Sequence, residues 1–484
     1  MNNYRTIKTI FQNRFKMKTF YILTIAGHDP SGGAGLTADI NTIQNYGLTA
    51  LSVCTGVTVQ NESIFKKCYW SNPNSIKEQL TLLLSTYPIK AIKIGIIENL
   101  TLLEELLFII YSSDPTIKII WDPILKSGTG YAFHEELSKQ KLLNIVKLCY
   151  LVTPNYDELK AISKEENIEN IISEISSRCH LFLKGGHRED SFKGTDTLYL
   201  KNGDSINFHP PTILNVNRHG TGCALSSSIT SLLGQGYSLN ESCLLAKEYV
   251  YRLLLHTNLV TEKKMTLQYI SDGETSEEHL KNIQNACVSG VKWIQLRMKE
   301  FPEKIVLNTA KNALKICRDH GALLIIDDYV SIAKISGADG VHLGKNDLPP
   351  NEARYILGPE FIIGATANTI DDIEDLANKN IDYVGLGPFK YTPTKKNLSP
   401  ILGLKGYSSI MKWVKLNNIS IPIIAIGGIS MEDIAPILKT GISGIAVSGL
   451  LSKQRNNVDL KNTVSSIQKC LLHNSQPKEI ISID

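Results

Sequence analysis

Long apolar runs are missing. The 484 residues contain no stretch of about 18 uninterrupted apolar side chains, so a membrane-spanning helix is not expected. An excess of one charge is missing too: Lys+Arg number 51 against 47 Asp+Glu, a formal net charge of +4. That balance leaves no broad basic field for nucleic acid or an anionic membrane, so anion binding has to be local. The nine cysteines are odd in number and show no CxxC spacing. This argues against a disulfide framework and a structural zinc site, and fits a reducing cytoplasm. The first 20 residues lack acids and carry Arg5, Lys8, Arg14, Lys16 and Lys18, yet they also lack a continuous apolar segment. Residues 1–17 are therefore expected to be a basic extension rather than a targeting peptide.

What is present is enough apolar content for two domains of roughly 200 to 250 residues each. From Phe20 to about Val260, the runs FYILTIAG, ALSVCTGVTVQ, IKAIKIG, KIIWDP, LVTP and LFLKGG alternate with amphipathic stretches, the rhythm of an α/β layer fold. From Thr266 there are eight strand candidates: LQYIS, VKWIQLR, ALLIID, GVHL, FIIGA, YVGLG, PIIAIGG and GIAVS. Eight strand-then-helix units predict a (β/α)8 TIM barrel. The polar segment HTNLVTEKKM (His256–Met265) is taken as the boundary between domains 18–260 and 261–484.

In the first half, Gly27 to Gly35 reads GHDPSGGAG, with four glycines that let the backbone turn sharply and approach a ligand. It is neither a G-x-G-x-x-G fingerprint nor a Walker A loop. Further polar clusters follow apolar runs, where open α/β sheets place their ligands: Asp122 in WDP, Asn155 and Glu158 in TPNYDE, Lys184 in LKGGH, and the run HGTGC from His219 to Cys223. Backbone N–H groups of Gly220, Thr221, Gly222 and Cys223 at a helix start form an anion nest.

Together GHDPSGGAG, KIGI, WDP, TPNYDE, LKGGH and HGTGC resemble the hydroxymethylpyrimidine kinase/phosphomethylpyrimidine kinase family of thiamin biosynthesis, which has a ribokinase-like fold. The resemblance covers Lys18 to Val260. It implies ATP-dependent phosphorylation of 4-amino-5-hydroxymethyl-2-methylpyrimidine, first to the phosphate and then to the diphosphate. It also implies that Gly27, Asp39 and Gln60 hold the pyrimidine, whose nitrogens need donors and acceptors. Asp122 and Glu158 would organise Mg²⁺ directly or through water, and Asn155, Lys184 and Thr221 would face the nucleotide. Sugar kinases of the wider superfamily carry Asp where Cys223 stands. A thiol with its pKa lowered at a helix N-terminus can take the same role as base. His28 and Ile96 depart from the family's usual residues beside the pyrimidine. Pyridoxal kinase is the alternative reading of this half.

In the second half, Gln295, Arg297 and Lys299 alternate at the end of a strand and so point to one side. Asp327, Asp328 and Asp347 also fall after barrel strands, and carboxylate pairs with phosphate suit Mg²⁺. Gly427-Gly428 and Ser448-Gly449 follow strands seven and eight, where barrels often bind phosphate. QLRMK, DDYVSIA, GADGVHLGKND, YVGLGPFKYTPTKK and AIGGIS resemble thiamine-phosphate synthase from Thr266 to about Leu472. That resemblance implies that Gln295, Arg297, Lys299 and Lys395 bind the pyrimidine diphosphate and that Asp328 and Asp347 bind Mg²⁺. Thr392, Thr394, Gly428, Val447 and Ser448 would hold the thiazole phosphate. Thr366 stands for the family's usual Ser, Asp327 for Asn, and Asn368 for His; Asp327 thus trades an amide donor for an acceptor near the pyrimidine. The implied chemistry is loss of diphosphate followed by attack of the thiazole nitrogen on the carbocation, with no protein nucleophile. A thiazole tautomerase, and a ligand-binding regulator built on decayed enzyme domains, are the alternatives. The partners implied are small molecules, with no nucleic acid and no membrane, and self-association into a homo-oligomer is left open.

Overall fold

Strand β1 (Tyr21–His28) is buried throughout except at its two end residues, the profile of a strand covered on both faces. The chain is described by a computed structural model over residues 21–61, 64–126, 133, 139–163, 167–186, 193–214, 216, 218–261, 266–358, 361–392, 399–454 and 456–473. Two compact units divide at Tyr251 and Arg252, with Leu214–Val216 assigned to the second.

The first unit is a nine-stranded sheet in the order β3-β2-β1-β4-β5-β6-β7-β8-β9. Its strands after β1 are β2 (Thr49–Gln60), β3 (Phe65–Trp70), β4 (Ile89–Ile94), β5 (Lys118–Trp121), β6 (Leu151–Val152), β7 (His180–Leu183), β8 (Asp196–Tyr199) and β9 (Ser205–Phe208). The six strands expected from apolar runs are all present and run parallel. The other three, β3, β8 and β9, pair antiparallel. One core gathers Ile76, Leu103, Leu143 and Leu159 under one face of the sheet. A second gathers Ile43, Leu225, Ile229 and Leu239 under the other. Helices therefore cover both faces, the ribokinase-like α/β layering that the sequence predicts.

In the second unit, β10 (Leu267–Ile270), β11 (Trp293–Leu296), β12 (Leu323–Asp327), β13 (Gly340–Leu343), β14 (Ile362–Ala367), β15 (Tyr383–Leu386), β16 (Ile423–Ile426) and β17 (Gly444–Val447) close into a barrel. Every neighbour is parallel, and β17 returns onto β10. All eight expected strands are found. The helix Leu239–Thr261 runs through the first six residues of the segment taken as the boundary. The repeated leucines ahead of it carry the helical pattern into that polar stretch. Among the described residues no helix is long and apolar enough to cross a membrane.

The barrel interior is partly polar. Gln268 Nε2 donates to Tyr383 Oη at 3.2 Å, and Tyr383 Oη lies 3.0 Å from His342 Nδ1. Trp293 stacks edge-on to Tyr383 with ring centroids 4.7 Å apart. Strands β10, β11 and β13 are not neighbours of β15, so these contacts cross the lumen. Gly364 makes room for them, since a Cβ there would lie 2.1 Å from Tyr383 Cζ. Gly364→Ala is expected to destabilise the barrel by about 1–3 kcal/mol through overpacking. The check is the thermal transition of this unit, and an unchanged midpoint would show that the ring has somewhere to go.

Candidate active sites

The expected anion nest of the first unit lies where two glycine turns close on each other. Gly220 caps the helix Thr221–Gly234 in the left-handed region at φ +83°. A Cβ there would meet Gly33 O at 1.8 Å. Asp29 ties the turns together: it accepts from Ser31 N at 2.9 Å, Ser31 Oγ at 2.7 Å and Ala34 N at 3.0 Å, and pairs with His219 Nε2 at 2.9 Å. The nest amides of Gly220, Thr221, Gly222 and Cys223 thus follow a braced loop.

Beside the nest, Lys184 Nζ sits 2.7 Å from Asp122 Oδ1 and 4.0 Å from Glu158 Oε2. A Cβ on Gly222 would lie 3.6 Å from that ammonium, so the cation and the nest share one place. Ser226 Oγ donates to Asp122 Oδ2 at 3.0 Å. Burial, then the nearby Asp122 charge, push the Glu158 carboxyl up to about 7 against the pull of Lys184. Asn155 and Glu158 also cap their helix reciprocally, with Asn155 N donating to Glu158 Oε2 at 2.7 Å and Glu158 N to Asn155 Oδ1 at 2.8 Å.

Two expectations for this half change with the packing. The Cys223 thiol is not lowered by its helix N-terminus. Burial pushes it up to about 11, with Asp39 and Asp122 adding to the rise and Lys93 and a Gly35 backbone hydrogen bond opposing it. Asp39, expected to touch the pyrimidine, is fully buried. It accepts from Thr24 Oγ1 at 2.7 Å, Ser227 Oγ at 2.7 Å, and Lys93 Nζ at 2.9 and 2.7 Å. A direct bond to substrate would require one of these to be released. Gly27 packs closely on Ile96, since a Cβ there would strike Ile96 Cδ1 at 2.3 Å. Gln60 is half-buried at the end of β2, where the register with β3 shifts.

In the barrel, the strand ends assemble cations around acids. Gln295 Nε2 donates to Asp327 Oδ1 at 2.7 Å. Arg297 Nε and Lys299 Nζ lie 3.7 and 3.5 Å from Asp327 Oδ2, and Lys299 also pairs with Asp328. Asp328 adopts φ +65° and is hydrogen-bonded to Asp347. Burial, then the Asp328 hydrogen bond and charge, push the Asp347 carboxyl up to about 7. Burial and Asp328 likewise push Asp327 to about 6. Asp328 and Asp347 therefore titrate as an interacting pair, Asp347 being the member pushed up.

The sign of its pH dependence follows. A carboxyl raised in the folded state keeps a proton that the unfolded chain has lost, so stability falls as pH rises from about 4 to about 7. Without divalent cations, Asp347→Asn is expected to flatten that slope in the barrel's thermal midpoint. A slope unchanged in the variant would show that Asp347 is not the group that holds the extra proton.

Gly427 and Gly428, at φ +97° and +69°, seat the loop that leads to Thr392. Phe389 N and Lys390 N donate to Ile426 O and Gly427 O, both at 2.9 Å, and a Cβ on Gly428 would lie 2.6 Å from Tyr391 O. Val447 ends β17, and Ser448 caps the short helix after it. Thr366 Oγ1 is 3.0 Å from His342 Nε2. Asn368 donates to Gly387 O. Thr394 and Lys395 lie outside the described residues. Gln295 Oε1, Asp327 Oδ2, Trp293 Nε1 and Ser448 Oγ are buried without a hydrogen-bond partner among the described residues.

Lys93, His219, Asp29, His342 and Tyr383 were not singled out by residue type. Asp29, His219 and His342 fall inside the motifs GHDPSGGAG, HGTGC and GADGVHLGKND, and Lys93 is a lysine inside the apolar run IKAIKIG at a position that the strand buries.

Comparison with known proteins separates the halves in the same way. The Phosphomethylpyrimidine kinase family model matches residues 29–268, and the Thiamine monophosphate synthase model matches residues 267–451. The thiamine-phosphate synthase of Phocaeicola vulgatus is 48% identical over 197 residues, which cover 41% of this chain and 95% of that protein. The chain belongs to the thiamine-phosphate synthase family. This family member carries a phosphomethylpyrimidine kinase domain ahead of its barrel, which makes it a bifunctional enzyme of thiamine biosynthesis. The chloroplastic thiamine biosynthetic bifunctional enzyme of Arabidopsis thaliana is 28% identical, and the match spans 90% of each chain. A solved phosphomethylpyrimidine kinase from Clostridium difficile is 30% identical, with 48% of this chain and 97% of that one covered at a TM-score of 0.41.

Proposed function

We propose that the first unit phosphorylates 4-amino-5-hydroxymethyl-2-methylpyrimidine twice with ATP, and that the barrel joins the resulting diphosphate to thiazole phosphate. One observation carries this reading. In each unit a lysine at a strand end lies between two carboxylates, Lys184 between Asp122 and Glu158 and Lys299 between Asp327 and Asp328. A cation held by acids suits phosphate oxygens arriving together with a divalent metal.

In the first unit, Gly27 and Gln60 form the pyrimidine wall and the amides of Gly220, Thr221, Gly222 and Cys223 receive the transferred group. Lys184 and Asn155 face the nucleotide. Transfer through a loose transition state puts little charge on the attacking oxygen until late. A protonated Cys223 therefore leaves the nest and Lys184 to carry the step, and the hydroxyl proton passes to an oxygen of the transferred phosphoryl group or to water rather than to the thiol. Both oxygens of Asp122 already have partners in Lys184 and Ser226, so Asp122 and Glu158 would hold Mg²⁺ through water or by displacing the lysine.

In the barrel, Gln295 Oε1, a buried acceptor with no hydrogen-bond partner among the described residues, fits the amino group of the pyrimidine, with Asp327 Oδ2 beside it in ion pairs with Arg297 and Lys299. Arg297, Lys299 and Lys395 neutralise the departing diphosphate. Thr366, Thr392, Thr394, Gly428, Val447 and Ser448 surround the thiazole phosphate. Among the described residues no three His, Cys, Asp or Glu side chains form a ready metal cage. The Asp328–Asp347 pair nevertheless fits Mg²⁺, which takes one or two carboxylates and completes its shell with phosphate and water; bound there, it would supply charge neutralisation to the leaving group. All nine cysteines are free thiols, which supports a place in the reducing cytoplasm.

The test is one tube with the purified chain, ATP, Mg²⁺, the hydroxymethylpyrimidine and thiazole phosphate, assayed for thiamin phosphate with each reagent omitted in turn. Product that no longer needs ATP, or turnover only when pyridoxal replaces the pyrimidine, would overturn the first half. Pyrimidine diphosphate formed but never consumed would overturn the second.

A further inference from the structure

We propose that Lys93 is a positioning residue of phosphoryl transfer, acting through Asp39 and Ser227 on the helix whose first turn is the anion nest. The inference rests on the kinase reading of this unit. Two adjacent serines on that helix are each held by a carboxylate, and each carboxylate is held by a lysine. Ser226 Oγ reaches Asp122 at 3.0 Å, and Asp122 reaches Lys184 at 2.7 Å. Ser227 Oγ reaches Asp39 at 2.7 Å, and Asp39 reaches Lys93 at 2.9 and 2.7 Å.

The two relays differ in exposure. The side chain of Lys184 is 13% exposed, whereas Lys93 and Asp39 are both 0% exposed. Lys184 can exchange Asp122 for a phosphate oxygen when ligand arrives. Lys93 is sealed from solvent with Asp39 as its partner. The inner relay is thus the fixed mount and the outer one the working contact.

Three elements meet at the mount. Lys93 comes from β4, Asp39 from the helix Gly35–Asn45 that follows the glycine-rich loop, and Ser227 from the nest helix one turn beyond Cys223. Residues four apart share a helix face, so a pull on Ser227 is felt at Cys223 and the amides before it. Thr24 Oγ1 from β1 supplies the fourth hydrogen bond to Asp39. A buried ion pair is a poor device for stability, since an apolar pair of similar volume often serves the fold as well or better. Its use here is geometric: nest amides displaced by about 1 Å are expected to slow transfer by about 100-fold.

Lys93→Met alone strands a buried carboxylate and endangers folding, so the informative variant is Lys93→Met with Asp39→Leu, accompanied by Ser227→Ala and Ser227→Thr. The expected result is a folded double variant whose kcat for pyrimidine phosphorylation falls by about 10-fold or more, with KM for ATP unchanged. Ser227→Ala should fall in the same direction, and Ser227→Thr, which keeps the hydroxyl, should recover the rate. Coupling of supplied pyrimidine diphosphate by the same chains serves as the internal control. Amide hydrogen exchange over residues 220–224 should quicken in the double variant and in Ser227→Ala. Wild-type exchange there, or full kcat in a folded double variant, overturns the relay. If the double variant does not fold, Ser227→Ala decides by the same two readouts. A wild-type chain that fails to phosphorylate the pyrimidine overturns the kinase reading instead, and the exchange measurement still decides the relay.

Discussion

Replacing Gly220 with alanine is expected to lower pyrimidine phosphorylation by about 100-fold or more, the scale lost when one well-placed backbone donor is removed. Two independent constraints act at this residue. Its φ of +83° lies where a Cβ is strained, and the new methyl would stand 1.8 Å from Gly33 O. The obstacle is backbone, so no side chain can swing away. Either the loop around Gly33 retreats or the nest amides rotate, and both changes uncouple the two turns that Asp29 and His219 hold together. Gly186→Ala is the matched control, because a Cβ there meets nothing within 4 Å. The measurement is kcat for the pyrimidine beside coupling of supplied diphosphate, which should not change. A Gly220→Ala chain with more than about a third of the wild-type kcat would show that the nest does not receive the phosphoryl group.

The barrel was legible because each of its strands is an apolar run bounded by turn residues, buried along nearly its whole length. In the first unit the same signal found the six parallel strands. It missed β3, whose FKKCYW run leaves one side in solvent, and the four-residue strands β8 and β9, which are too short to show a period. The chemistry was legible as motifs but not as environments. HGTGC marks an anion site from glycine spacing alone, yet the thiol's burial among Asp39, Asp122 and Lys93 depends on chain segments more than 100 residues away. Local reasoning about the helix N-terminus therefore gave the opposite direction for its pKa. Asp39 shows the same limit. Its motif places it beside the pyrimidine, and only the packing of β1, β4 and the nest helix reveals that its oxygens already have partners. Lys93 and His342, which organise the two interiors, sit inside strand runs where sequence periodicity predicts only that something is buried.

Lys299→Met is expected to lower coupling by about 100-fold, or about 2.7 kcal/mol of transition-state stabilisation. Lys299 stands between Asp327 at 3.5 Å and Asp328, with Asp347 hydrogen-bonded behind them. Without the ammonium, three carboxyl groups face the incoming diphosphate with Arg297 as the one described cation still within 4 Å of them on this strand. The repulsion grows as diphosphate departs, so the loss should appear in kcat as well as KM. Unfolding cannot account for it, because the lysine side chain is 46% exposed and ion pairs of that exposure are worth about 0–1 kcal/mol. The thermal midpoint should therefore stay nearly in place. In the one-tube assay the kinase half continues, and pyrimidine diphosphate should accumulate in place of thiamin phosphate. Lys299→Arg, which keeps the charge on a different fork, should recover part of the rate. Coupling within about 3-fold of wild type in the Met variant would mean that the leaving group departs elsewhere in the barrel.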